Sequence, residues 1–335
     1  MISNTILSVF ICLISSALTD EIYQNSSNIC DNCICSDGDE FILNCADKDF
    51  EHVLANWPPH NKTLIATFSN NNITTLGILP VTDQKVKLVF DHCNIKYLDP
   101  GVFREVKNVE YIDLSYNFLT TEEIDGENFK GPYNNSVYYP IAVKHLNLAY
   151  NKIHSLPRKF FENMPNLEEL NLEGNDFSVL DQNTQMALSS LTKLKRLNLA
   201  RNELTELVGD AVKNLKSLEE LNLGVNRLDF VPETLDYVGS HLQVLILSEN
   251  YIFEIRDESF LGVSGIRELY LDNLPRLKTI YVDAFSTLPN LRKLSLRDNI
   301  NLKTIDRQAF GVNQTIEEVS KNNFLLRDCR YKRLF

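Results

Sequence analysis

Four cysteines stand within sixteen residues near the start of the chain, in the stretch CDNCICSDGDEFILNC. Thiols at this spacing support two kinds of chemistry. In a reducing compartment they would together hold a zinc ion, and in an oxidising compartment they would form two disulfides. The choice between these two chemistries depends on where the chain resides, and it concerns Cys30, Cys33, Cys35 and Cys45.

The first residues have the composition of a secretory signal. The run ILSVFICLISSAL, residues 6–18, carries no charge, and Ala17 and Thr19 are small residues where signal peptidase requires them. No Lys or Arg precedes this run, which departs from the usual pattern. We predict a signal peptide over residues 1–19, cleaved before Asp20, and an exported chain favours disulfides over zinc.

N-glycosylation sequons point to the same location. Five asparagines stand two residues before Ser or Thr, namely Asn25, Asn61, Asn72, Asn134 and Asn313. No later stretch reaches the roughly 18 consecutive apolar residues of a membrane span. The sequence therefore predicts a secreted, glycosylated chain with no membrane span.

The charge of the chain argues against nucleic-acid binding, and the scatter of its polar residues argues against catalysis. The formal net charge of -12 disfavours nucleic-acid binding, which needs a basic face. The six histidines are dispersed, and no nucleophile elbow or phosphate loop is present. Glu169 and Glu173 share a strand face, where a solvated acidic stripe is the simpler interpretation. We predict no enzyme, catalytic residue, cofactor or metal ligand.

An internal repeat organises most of the chain. Five segments, starting at residues 143, 167, 194, 218 and 242, share the pattern apolar-x-x-apolar-x-apolar-x-x-Asn-x-apolar. The same register extends outward to Asn71, Asn117 and Asn299, with Leu274 in one asparagine slot and Cys93 in another. We call these ten positions the ladder slots. A ladder asparagine faces the core and bonds to backbone groups, so Cys93 is expected to be a buried, inert thiol.

This pattern resembles the leucine-rich repeat family, in its extracellular form with repeats of about 24 residues. The resemblance implies an α/β repeat solenoid over residues 61–324, a horseshoe with a parallel β-sheet on its concave face and an irregular or short helical convex side. It implies a cysteine-rich N-terminal cap over residues 20–60, with Cys30 paired to Cys35 and Cys33 to Cys45. It also implies one convex stack of phenylalanines, formed by Phe103, Phe161, Phe260, Phe285 and Phe310.

The C-terminal segment, residues 325–335, is similar to an incomplete cap of the same family. Cys329 matches the second cysteine of such a cap, but the first is missing. Cys93 cannot pair with it, because about nine turns of about 4.8 Å separate them by roughly 40 Å. We expect Cys329 to join a second chain covalently, the alternatives being a small-thiol adduct or burial.

Candidate binding residues come from the strand faces expected to point outward. Aromatic side chains of adjacent repeats form one candidate group, Tyr111, Tyr116, His145 and Tyr150. An asparagine row containing Asn147 and Asn171 runs beside it, although a solvated row favoured by the repeat consensus is the simpler interpretation. An insertion near residues 125–140 lengthens one repeat and adds Tyr133, Tyr138 and Tyr139.

The resemblance implies ligand binding in immunity, adhesion or developmental signalling. We therefore predict a secreted recognition protein that binds another protein through its concave face and insertion loop. An extracellular-matrix structural component, or a truncated ectodomain of a Toll-like or other cell-surface receptor, is the alternative.

Overall fold

The computed structural model describes residues 29–134, 136–208, 211–311 and 316–320. The predicted signal peptide, the sequons at Asn25 and Asn313, and Cys329 lie outside the described residues. The division of the chain at residues 60 and 324 remains a prediction.

Short strands dominate the described chain. One α-helix, α1 (Gln182–Ser189), and three 3-10 helices, Ile29–Asp31, Glu233–Tyr237 and Gly239–His241, accompany them. The strands are β1 (Ile34–Asp37), β2 (Phe41–Asn44), β3 (Leu64–Thr67), β4 (Thr75–Leu76), β5 (Thr82–Val89), β6 (Tyr97–Leu98), β7 (Val106–Asp113), β8 (Tyr133–Asn134), β9 (Val137–Tyr138), β10 (His145–Asn147), β11 (Glu169–Asn171), β12 (Arg196–Asn198), β13 (Glu220–Asn222), β14 (Val244–Ile246), β15 (Glu254–Ile255), β16 (Glu268–Tyr270), β17 (Thr279–Ile280), β18 (Lys293–Ser295), β19 (Thr304–Ile305) and β20 (Glu318–Ser320).

Thirteen of these strands form one sheet, in the order β1-β2-β3-β5-β7-β10-β11-β12-β13-β14-β16-β18-β20. From β2 onward every neighbouring pair is parallel, and equivalent leucines pair from turn to turn, as Leu146 does with Leu170 and Leu170 with Leu197. A smaller parallel sheet, β15-β17-β19, lies outside it. The predicted leucine-rich repeat solenoid is confirmed, and in the described residues it extends through an eleventh turn at β20.

Apolar alternation decides which residues of each concave strand face the core. In β10, β11 and β13 the central leucine is buried and its two neighbours are half-buried on the concave side. A second leucine two residues later, such as Leu148 or Leu172, is also fully buried. Because successive strand residues face opposite sides, this pair is inward and the residues flanking the central leucine face outward.

The ladder asparagines bond to the backbone of their own turn and of the preceding one. Asn117 Nδ2 donates to the carbonyls of Phe90 (2.8 Å), Leu114 (3.0 Å) and Ser115 (3.0 Å). Its Oδ1 accepts from the N–H groups of Cys93 (3.0 Å) and Ile95 (2.9 Å). These bonds satisfy backbone groups that a tightly curved chain would otherwise leave buried without partners.

A left-handed backbone residue precedes every ladder slot. The φ angles are positive at all ten positions, for example +54° at His92, +54° at Tyr116 and +65° at Gly174. This conformation is unfavourable for most side chains. Where the ladder residue is Asn117 or another asparagine, its side-chain bonds to the backbone hold this turn in place.

Cys93 occupies its ladder slot with no exposed surface. Its Sγ lies 2.9 Å from the Phe68 carbonyl oxygen, to which the thiol donates. Burial raises the pKa of the Cys93 thiol to about 11, and the Asn71 backbone N–H offsets part of that rise.

We expect Cys93 to resist alkylation in the folded protein. With a pKa of about 11, only about one thiol in a thousand is ionised at pH 8, and the sulfur is also inaccessible. Intact-mass analysis after iodoacetamide treatment should show no label at Cys93 in native buffer and full labelling in denaturant. Rapid native labelling would contradict the assigned register of this turn.

The predicted single stack of five phenylalanines is wrong. In the described residues, Phe260, Phe285 and Phe310 form one stack, with ring centroids 5.9 and 5.2 Å apart. Phe103 and Phe161 belong to a second group, joined through Phe129 and Phe160. Phe103 stacks on Phe129 at 5.6 Å, and the contacts from Phe129 to Phe160 and from Phe160 to Phe161 are edge-on, at 5.4 and 4.9 Å. The intervening turns place α1 and smaller side chains at these positions, so the ring row is interrupted.

The N-terminal end of the solenoid is covered by a disulfide-bonded hairpin. β1 pairs antiparallel with β2, and β2 pairs parallel with β3 of the first turn. Cys30 is bonded to Cys35 and Cys33 to Cys45, the pairing that the resemblance implied. Such a cap is needed because the end of a repeat array exposes a cross-section of its core.

Candidate binding surface

A shallow groove of about 260 Å³ crosses the concave sheet. It runs over five strands, β7, β10, β11, β12 and β13, so side chains from residues 111 to 222 meet in one place. The polar side chains that line it are Tyr111, His145, Asn147, Glu169, Asn171, Arg196, Asn198, Glu220 and Asn222.

Tyr111 and His145 lie side by side at one end of the concave groove. Their ring centroids are 6.1 Å apart, and the Tyr111 hydroxyl donates to Asp113 Oδ2 at 3.1 Å. Burial and the nearby Asp113 charge raise the pKa of Tyr111 to about 12. Tyr111 is therefore a neutral, fixed ring at physiological pH.

Tyr116 and Tyr150 form a separate cluster with a residue that the sequence analysis missed. The ring of His92 stacks on Tyr116 at 4.3 Å, and Tyr116 stacks on Tyr150 at 4.4 Å. A Cβ at Gly174 would lie 2.6 Å from the Tyr150 ring, so only glycine fits the next position of the row. All four residues immediately precede ladder slots, and this shared register could have revealed His92.

Charged side chains hold each other in place along the concave groove. His145 Nδ1 lies 2.9 Å from Glu169 Oε2, and Arg196 pairs with the other Glu169 oxygen. Burial and the Arg196 charge lower the pKa of His145, which favours the neutral form of the ring beside Glu169. The Tyr150 hydroxyl donates to Glu173 at 2.9 Å, and Arg201 pairs with the same carboxylate at 3.1 Å.

The concave asparagine row has a structural component. The side-chain oxygens of Asn147 and Asn171 accept from backbone N–H groups two residues later, at 3.1 and 3.0 Å. Asn147 Nδ2 donates to Asp113 at 3.0 Å. Within the described part of the chain, the amide nitrogens of Asn171 and Asn222 have no protein acceptor, and they border the concave groove.

The insertion forms a small hairpin on a different side of the molecule. β8 and β9 pair antiparallel, and the exposed rings of Tyr133 and Tyr138 lie 4.8 Å apart. This hairpin and exposed Tyr139 precede strand β10, whereas Tyr116 and Tyr150 follow strands β7 and β10. Because the strands are parallel, the insertion lies on the side where the strands begin, and the stacked rings lie on the side where the strands end.

Three predicted glycosylation sites are within the described chain, and all are exposed: Asn61, Asn72 and Asn134. Asn134 lies in β8 of the insertion hairpin. In the part of the chain that the structure describes, no helix has the length and apolar character needed to cross a membrane.

Comparison with known proteins gives a consistent family. The sequence model described as Leucine rich repeat matches residues 141–195, 192–238 and 240–300. Tsukushi from Gallus gallus is 29% identical over 64% of this chain and 61% of its own length. The transforming growth factor beta activator LRRC33 of Danio rerio is 25% identical, over 86% of this chain and 43% of its own length.

One further relative and one solved structure are also similar to this chain. Toll-like receptor 3 of Boselaphus tragocamelus is 31% identical over 72% of this chain and 25% of its own length. The chain thus spans about three fifths or less of these relatives. A chain in the solved octameric complex of Latrophilin 3, Unc5D and the leucine-rich repeats of FLRT2 superimposes with a TM-score of 0.60, at 22% identity over 79% of this chain and 83% of that one, a likeness of fold. A chain with this repeat register and this solenoid belongs to the leucine-rich repeat proteins, and its disulfide-bonded N-terminal hairpin is that of their extracellular class.

Proposed function

We propose that this chain is a secreted recognition protein that binds another protein in its concave groove. The observation that carries the proposal is the groove itself, in which Tyr111 and Arg196 lie among side chains held by hydrogen bonds and ion pairs. Tyrosine and arginine are the residue types that most often dominate protein interfaces.

Preorganisation favours this surface over a loosely solvated one. Asp113 holds Tyr111, and Glu169 holds both His145 and Arg196, so binding would freeze few additional rotamers. The free amide groups of Asn171 and Asn222 offer hydrogen bonds to a ligand backbone or side chain. A partner that presents hydrogen-bond acceptors at this position would accept from these two amides.

The names of the relatives support protein recognition without identifying a ligand. One is named as an activator of transforming growth factor beta, another as a Toll-like receptor. The FLRT2 repeats were solved in a complex with other proteins. We extend only the shared property, protein binding by the repeat array, to this chain.

The insertion hairpin is a separate surface that binding in the concave groove does not require. Tyr138 and Tyr139 are exposed. They lie on the side of the sheet where the strands begin, whereas Tyr116 and Tyr150 lie on the side where the strands end. A ligand seated in the concave groove reaches them only by extending past the start of β10. Replacing these two hairpin tyrosines with alanine therefore serves as a matched aromatic control.

Replacing Tyr111 and Arg196 together with alanine should weaken ligand binding at least about 30-fold, corresponding to about 2 kcal/mol for a buried interface anchor. The secreted chain, fused to an antibody Fc, would first be screened against a panel of extracellular protein domains. Surface plasmon resonance would then compare the original chain with the double variant.

The control is Tyr138→Ala with Tyr139→Ala, which removes two exposed rings from the hairpin. It should leave affinity within about twofold if the concave groove carries the binding energy. Equal affinity of the original chain and the Tyr111/Arg196 variant would place the binding site elsewhere. A matrix component, in contrast, would show no single saturable partner in the screen.

A further inference from the structure

A second, larger groove lies away from the concave sheet. It has a volume of about 930 Å³ and is bordered by three consecutive turns, at residues 205–208, 228–236 and 254–261. These segments follow the ladder slots of their turns, so the groove opens on the outer flank of the solenoid. We call it the outer groove.

The outer groove forms where the smaller sheet ends. β15 is the edge strand of the sheet β15-β17-β19. The preceding turn has no strand at this place but enters Pro232 and the 3-10 helix Glu233–Tyr237. The backbone of Asp236 packs so closely on Gly262 that a Cβ there would lie 2.6 Å from the Asp236 Cα. These two turns are therefore in close backbone contact at this point of the groove wall.

Apolar side chains form the floor and walls of the outer groove. Leu207, Leu228 and Val231 are buried beneath it. Phe230 is 58% exposed and Leu261 43% exposed, although both are large apolar residues. Exposed apolar surface concentrated in a concavity is typical of a binding site.

The rim of the outer groove is strongly acidic. Five carboxylates line it, from Glu206, Glu233, Asp236, Glu254 and Glu258. The single basic lining residue, Arg256, is held by Glu254, with Nε to Oε1 at 2.8 Å, and its guanidinium lies 5.4 Å from the centre of the Tyr281 ring. Among the described residues, the other four carboxylates have no basic partner within 4 Å.

This charge distribution differs from that of the concave groove. There, the Glu169 carboxylate is paired with the Arg196 guanidinium. In the outer groove, burial raises the pKa of Asp236, and repulsion from the neighbouring Glu233 carboxylate adds to the rise. A cation placed between them would relieve this repulsion.

We infer that the outer groove binds a segment of a partner protein in which an apolar side chain is flanked by Lys or Arg. The apolar residue would pack on Phe230 and Leu261, and the basic residues would pair with Glu233, Asp236 and Glu258. Charge complementarity excludes anionic partners such as nucleic acid or a phosphorylated segment. The apolar walls also distinguish this ligand from a purely basic peptide, which would leave Phe230 and Leu261 without an apolar contact.

Three fluorescein-labelled nonapeptides serve as probes. The first alternates Lys or Arg with Leu or Phe, the second has Ser in place of every Leu and Phe, and the third has Glu in place of every Lys and Arg. Fluorescence anisotropy at physiological salt should show binding of the first peptide and at least 10-fold weaker binding of the other two.

The variant Glu233→Gln with Glu258→Gln should weaken binding of the first peptide at least 10-fold. Its control, Glu51→Gln with Glu122→Gln, makes the same change in net charge at two exposed positions remote from the outer groove and should bind as the original chain does. Phe230→Ser tests the apolar contact separately and should weaken binding at least fivefold. Thermal unfolding of each variant checks that the fold is retained.

Three outcomes would overturn the inference. Equal binding of the Leu/Phe and Ser peptides would indicate general attraction to an acidic protein. Unchanged binding by the Glu233/Glu258 variant would place the peptide elsewhere. Residues 321–335 contain Lys321, Arg327, Arg330, Lys332 and Arg333. Peptide binding that appears only after their deletion would make this basic segment the occupant instead of a partner protein. The inference does not rest on the concave site, because the Tyr111/Arg196 variant should still bind the first peptide.

Discussion

Replacing Asn117 with alanine should lower the free energy of unfolding by about 3–5 kcal/mol, because a buried polar group without its partner costs about 1–3 kcal/mol. The change removes three bonds donated to carbonyls and the acceptor of the Cys93 and Ile95 N–H groups. Asn117 is only 5% exposed, so water cannot replace these bonds without opening the turn. Denaturant unfolding would measure the loss.

The matched control is Asn171→Ala in the concave row. Asn171 accepts one bond, from the Glu173 N–H at 3.0 Å, at a half-buried position that water can reach. Its loss should cost about 1 kcal/mol or less. Hydrogen exchange adds a local measurement, since the Cys93 and Ile95 amides should lose protection only in the Asn117 variant. Equal destabilisation by the two changes would contradict the structural role of the ladder.

Replacing Cys33 and Cys45 with alanine should lower the free energy of unfolding by about 3 kcal/mol. Both sulfurs are buried, and their bond closes a loop with a sequence separation of 12 residues. Loops of this length gain about 3 kcal/mol from cross-linking, chiefly through the unfolded state. The hairpin β1–β2 should then detach first and expose Leu43 of β2 and Leu64 of β3 in the first turn.

Alanine at Cys30 and Cys35 provides the comparison. This disulfide has a sequence separation of 5 and lies nearer the surface, with both residues only partly buried. The shorter loop gains less from closure, so we expect a smaller loss of stability than for the Cys33–Cys45 bond. Denaturant unfolding of the two double variants would test the order, and a reversed order would show that Cys30–Cys35 holds the cap.

The sequence alone determined the repeat register and therefore the solenoid. A period of about 24 residues fixes which leucines face the core, and it correctly placed Asn117, Asn226 and Cys93 in buried slots. These positions are predictable because each turn makes the same contacts with its neighbours. Burial of Cys93 follows from its place in the period, even though its local sequence gives no such sign.

The arrangement of side chains between turns was decided only by the tertiary structure. His92 stacks on Tyr116 and Tyr116 on Tyr150 because the solenoid brings residues 24 or more positions apart into contact. The phenylalanine row is interrupted because one turn forms α1 instead. The outer groove depends on Pro232 and a 3-10 helix replacing a strand in one turn. A periodic pattern specifies what all turns share. The distances between particular side chains depend on the backbone that each turn adopts where the pattern is free to vary.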